Sequence, residues 1–91
     1  MKNIVLSKHA CERGQQRGVP REAIALVALH GKRTRVKEGK FQRMIRKPEA
    51  LKLITCKTSP ASLVERTKGL RIITSEIEDQ VMVVSVLPRS N

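Results

Sequence analysis

The sequence predicts an α+β fold, an N-terminal helical hairpin packed on a small, mainly antiparallel four-stranded sheet. Three observations lead there. Helix-start and helix-stop residues crowd the first third of the chain, two pairs of strand-type runs follow, and the two kinds of segment do not alternate as a parallel arrangement requires. At 91 residues and 40% hydrophobic content, the chain suffices for one domain, spanning 1–91, and is too short for a second core. Phe41 is the only aromatic residue, so the core must be aliphatic. That scarcity also argues against recognition of single strands by aromatic stacking.

Ser7 is placed to cap a first helix running to about Gln16, and Gly18 to end it. Pro20, at a first helical position, opens a second helix; Glu22 sits in its first turn and Gly31 closes it after His30. Residues 32–37 and 41–46 flank Glu38-Gly39-Lys40 and read as a β-hairpin. Arg33, Arg35 and Lys37 alternate with Thr34 and Val36, which puts these cations on one face, while Arg43 and Arg46 fall on opposite faces of the second strand. Residues 47–54 form a short helix or turn, and Ser59-Pro60 with Leu63, Val64 and Gly69 marks a further short helix. Residues 70–74 and 81–87 are β-branched runs joined by an acidic turn over 75–80; the last run is apolar on both faces except at Ser85.

The charge is lopsided. The chain holds 19 Lys+Arg against 8 Asp+Glu, and residues 1–57 carry 15 of the bases with 4 of the acids, so the whole excess of +11 lies in that part. One surface of the fold is therefore expected to face a polyanion, with nucleic acid the leading partner and an acidic protein equally compatible with the charge. No segment pairs a basic face with the large aromatic and aliphatic face of an interfacial helix, which excludes a membrane partner. The opening apolar run is too short for a signal peptide and no apolar stretch reaches the roughly 18 residues of a membrane span, so a cytoplasmic protein is expected. Cys11, Cys56, His9 and His30 are scattered without a chelating pair, so neither a metal nor a cofactor is expected.

Within residues 7–18, His9, Arg13 and Arg17 recur at steps of four. At roughly 100° per residue they share one face of a helix. An imidazole that exchanges protons near neutral pH, flanked by two guanidiniums that hold phosphate, suits phosphodiester chemistry. The same set serves phosphate binding alone, or a local cap beside a solvated basic face. Arg33, Arg35, Lys37, Arg43 and Arg46 are assigned to nucleic-acid backbone contacts, with a solvated, aggregation-resistant sheet edge as the alternative. His30 suits the last turn of a helix.

Residues Ser7-Lys8-His9-Ala10-Cys11-Glu12-Arg13, then Arg17-Gly18-Val19, carry the pattern His-Ala-x-x-Arg-x-x-x-Arg-Gly. With the basic hairpin and a terminal strand bearing a hydroxyl residue, the chain resembles a family of small prokaryotic domains placed near the RelE and ParE toxins, within the barnase, EndoU and colicin-type ribonuclease fold. The resemblance implies a RelE-like fold, RNA as substrate, free or on the ribosome, and a cognate antitoxin protein. By position it implies a catalytic set of His9, Arg13 and Arg17, with Ser85 where the family often has a strand threonine. Pro20 stands in place of the family's capping Ser or Thr, and residues 47–69 are longer than the family's connection, implying an added helix. The expected function is that of a small basic RNA-binding protein acting as a metal-independent toxin-type ribonuclease. Its rivals are a non-catalytic nucleic-acid-binding module and a basic interaction protein docking on an acidic partner.

Overall fold

The computed structural model describes residues 3–57 and 59–87. The elements run β1 (Asn3–Leu6), α1 (Lys8–Gln16), α2 (Arg21–His30), β2 (Lys32–Lys37), β3 (Lys40–Met44), α3 (Lys47–Thr55), α4 (Ala61–Arg66), β4 (Arg71–Ile77) and β5 (Gln80–Leu87). The fold is α+β, and its sheet has five strands in the order β1-β5-β4-β3-β2. The expected four-stranded sheet is thus corrected by β1, which pairs parallel to β5, with Asn3 opposite Gln80 and Leu6 opposite Val83. The other three pairings are antiparallel, so the sheet is mixed.

The helix signals act as chemistry demands. Ser7 caps α1 by accepting a hydrogen bond from the Ala10 amide at 3.1 Å. Pro20 is the N-cap of α2 instead of its first residue: its carbonyl accepts from Ala23 and Ile24 at 3.1 and 3.3 Å, which an extended ψ of 153° permits. Residues 47–54 resolve into a full helix, α3, whose first turn is closed by the Glu49 carboxylate accepting from the Arg46 amide at 3.0 Å. The second hairpin strand stops at Met44, so Arg46 belongs to this helix start and not to β3. The acidic turn is also shorter than expected. β4 runs on through Ile77, only Glu78 and Asp79 turn, and Glu76 is a strand residue.

Burial alternates along the strands in one phase. Ile72 of β4 and Val81, Val83 and Val86 of β5 face a core completed by Ala10, Ile24, Val27, Leu53, Val64 and Leu70. The helices therefore share one side of the sheet, with α1 on β5, α2 across β3 and β4, α4 on α2, and α3 on α4. The phase along β5 survives because of a bulge: Ile73 pairs with Ser85 while Thr74 pairs with Val83, leaving Val84 unopposed. The inserted residue turns Val86 inward and Ser85 outward, which strict alternation from Val81 would reverse.

Two glycines permit close geometry. Gly39 turns the β2–β3 hairpin at φ +73°, a conformation that costs L-residues about 1 kcal/mol or more. Gly31 leads α2 against β3, where a Cβ would sit 2.5 Å from the Val27 carbonyl oxygen and 3.0 Å from the Met44 nitrogen. Both neighbours are backbone, so Gly31→Ala should destabilise the fold by about 1–3 kcal/mol. Equilibrium urea unfolding checks this: an unchanged midpoint would show that the α2–β3 junction is looser than described.

Candidate nucleic-acid interface

The first helix carries its three singled-out side chains on an exposed stripe. His9, Arg13 and Arg17 are all exposed, while Ala10 and Gly14, one position on, are buried against the core. Arg17 is the C-cap, and its amide still donates to the Arg13 carbonyl at 3.1 Å, so the helical step holds through the third residue. Among the described residues none of the three side chains is tied up in a hydrogen bond or ion pair.

The start of α1 is fixed to β5. The Ser7 amide donates to the Val83 carbonyl at 3.0 Å. Its hydroxyl donates to the carbonyl of Val84, the bulge residue, at 3.2 Å. The first turn of the helix, with His9, is thereby anchored one residue before Ser85. Ser85 itself shares the face of its partner Ile73, away from the core. β1 ends opposite Val83, so the stretch of β5 holding Ser85 has no strand on that side among the described residues. Helix α1 and Ser85 thus flank one unpaired stretch of strand from its two sides.

The hairpin cations divide into three fates. Every residue of β2 is exposed, and Arg35 and Lys37 stand on this outer edge strand. A register slip between Arg35 and Lys37 breaks the single-face alternation expected of the strand. Arg33 is half-committed: its guanidinium lies 4.6 Å from the centre of the Phe41 ring and 3.3 Å from Glu76. Arg43 is not on the surface at all. It is 8% exposed, donating from Nε and Nη2 to the two Glu76 carboxylate oxygens at 2.9 and 2.8 Å and from Nη1 to the Gly31 carbonyl at 3.1 Å. Its assignment to backbone contacts is therefore corrected, because this guanidinium is buried and spends three of its five donors on Glu76 and Gly31. Arg46, the N-cap of α3, is exposed and stands outside the hairpin strands. The stripe on α1, over β5, and the cations on β2 are three strand spacings apart, about 14 Å.

Glu76 is the residue that sequence reasoning missed. Burial pushes its carboxyl up, but hydrogen bonds from Arg43 and Thr74, the Arg43 charge and a bond from Arg33 outweigh that, and its pKa falls from 4.5 to about 2. Thr74 donates to it at 2.7 Å. The available signal was a Thr-x-Glu pair of alternate positions ahead of the turn, on the same strand face as Ile72.

Among the described residues no group of three or more His, Cys, Asp or Glu is placed to hold a metal ion. No helix there is long and apolar enough to cross a membrane. His30 lies beside Glu49, Lys52 and Cys56 along α3, not at α1. Comparison with family models, curated proteins and solved structures finds no match.

The depressed Glu76 pKa fixes the sign of a pH effect. A carboxyl whose folded pKa lies below its unfolded one adds stability in full above about pH 4.5 and loses it as pH falls toward 2. The contribution is on the order of 3 kcal/mol. Glu76→Gln should remove most of this acid-limb slope and cost about 3–5 kcal/mol at neutral pH by stranding Arg43. Urea midpoints measured from pH 7 to 2.5 test it; parallel profiles for wild type and variant would rule the ion pair out as their origin.

Proposed function

We propose that this chain is a RelE-like, RNA-binding protein that cleaves RNA without a metal at the unpaired stretch of β5 beside α1. The observation that carries the reading is the Val84 bulge. It turns Ser85 outward and gives its carbonyl to Ser7, so an RNA strand passing round this edge meets the α1 stripe on the helix side of the sheet and a hydroxyl on the other. Bulges are frequent next to active sites because they re-aim a side chain in this way.

The chemistry follows from the groups. The ribose 2′-oxygen attacks the adjacent phosphorus, the bond from phosphorus to the 5′-oxygen breaks, and a cyclic phosphate and a 5′-hydroxyl result. His9 takes the 2′-hydroxyl proton, and water supplies the proton that the leaving 5′-oxygen requires. Arg13 and Arg17 hold the charge that grows on the phosphoryl oxygens, and Ser85, on the opposite face of β5, meets a neighbouring phosphate of the same strand. Arg35 and Lys37 take phosphates further along the strand, which positions RNA without reading its sequence. The toxin role and a cognate antitoxin rest on the resemblance over residues 7–19 alone.

One observation favours a non-catalytic binding module instead: His30 lies at α3, leaving His9 as the single imidazole near the edge. Purified protein incubated with total cellular RNA separates the two. Under the catalytic reading, cleavage persists in chelator and falls by about 100-fold or more in His9→Ala, with a comparable loss in Arg13→Ala. Intact RNA throughout, with salt-sensitive binding retained, would establish the binding module. In either case Arg35→Ala with Lys37→Ala should reduce the slope of log affinity against log salt by about 0.7 per lost contact on single strands.

A further inference from the structure

The segment from Lys47 to Arg66 does more than lengthen the chain. Helix α3 turns Leu53 inward, 5% exposed, yet leaves Leu51 67% and Ile54 41% exposed. Scattered surface leucines need no explanation, but these two border a groove between α3 and α4 of about 400 Å³, floored by Ile45, Ala50 and Val64. Its rim carries Arg46 and Lys47 at the start of α3, with Glu65 and Lys68 across from them on and after α4. Glu49, the other acid nearby, is used internally on the Arg46 amide. The outcome is an aliphatic trough with a cationic rim, lined by none of the α1 or β2 residues.

Charge complementarity selects the occupant. A second copy of this chain would bring one cationic rim, on a protein of net charge +11, against another, and like charges across an interface are costly. A lipid surface suits a broad apolar face with aromatic anchors, whereas only two aliphatic side chains stand out here and the one aromatic, Phe41, lies under Arg33 on the sheet. An amphipathic helix answers both features, with aliphatic side chains at i, i+3 and i+7 seated in the trough and carboxylates flanking them.

We propose that the α3–α4 groove is the docking site for an acidic amphipathic helix of a partner protein. The site stands independently of the RNA chemistry proposed above, since none of the α1, β2 or Ser85 groups contributes to it. Leu51 and Ile54 supply the apolar contact, and Arg46 and Lys47 set the sign of the partner.

The test uses the full chain and a panel of synthetic helical peptides. All share the same leucine and isoleucine anchors, while the flanking positions run from all Glu through neutral to all Lys; each has a scrambled counterpart of identical composition. Fluorescence anisotropy should rank the Glu-flanked helix first, and its scrambled form about ten-fold weaker or more. Leu51→Asp should cost the Glu-flanked helix about ten-fold or more, and Lys47→Glu should narrow the preference for Glu flanks. Because both positions are exposed, circular dichroism and RNA affinity should be unchanged in these variants. Equal binding of ordered and scrambled peptides, indifference to Leu51→Asp, or no binding below about 1 mM by any member would overturn the proposal. So would Leu51-dependent binding to phosphatidylserine vesicles in preference to every peptide.

Discussion

The carboxylate of Glu76 is the constraint on which the cationic half of this fold depends. It sits 6% exposed beside Arg43 and draws donors from Arg33 on β2, Arg43 on β3 and Thr74 on β4. Arg43 in turn reaches the Gly31 carbonyl at the end of α2. One buried acid thus joins three strands and a helix terminus. Its importance is greatest at β2, whose residues are all exposed and which has no apolar burial to hold it. That strand is retained by its ladder to β3 and by Arg33, clasped between Phe41 and Glu76. A buried pair of this kind gains stability mainly relative to losing one partner, because desolvating both charges offsets much of their attraction.

That arrangement separates two uses of basic residues that composition alone merges. Arg43 is structural and Arg33 is shared, so the hairpin offers fewer phosphate donors than its sequence promises. Arg35 and Lys37 on the edge remain exposed, as do His9, Arg13 and Arg17 on α1. The neutral C-terminal portion supplies the inner strands β4 and β5, while the basic N-terminal portion supplies both sheet edges, β1 and β2, together with the core helix α2.

How much of this was legible in the sequence follows the range of the interactions. Ser7, Gly18, Gly31 and Gly39 act within a few residues of themselves, and the helices and hairpin they bound stand close to where the sequence placed them. The i, i+4 stripe on α1 was legible for the same reason. β1 was not: its four residues gain strand structure from β5, 77 positions away. Glu76 carried the polar signature of a turn, and it takes Arg43, 33 residues distant, with Thr74 and Arg33, to make a strand carboxylate favourable there. Ser85 was visible as the one polar residue in an apolar run, but its facing depends on the Val84 bulge, which no local signal announces. Arg43 was misassigned because an arginine in a strand is ordinarily solvated, and its burial depends wholly on that distant acid.

The central claim is that RNA meets this protein along the α1 stripe, the unpaired stretch of β5 and the outer edge of β2, while the Glu76 cluster and the α3–α4 groove stand apart. Backbone amide chemical-shift mapping with a short single-stranded RNA addresses it directly. The account predicts perturbations centred on residues 8–17, 35–37 and 84–86, diminishing as salt is raised, with residues 50–54 and 72–76 unmoved. Perturbations confined to α3 and α4, or none at low salt, would contradict it.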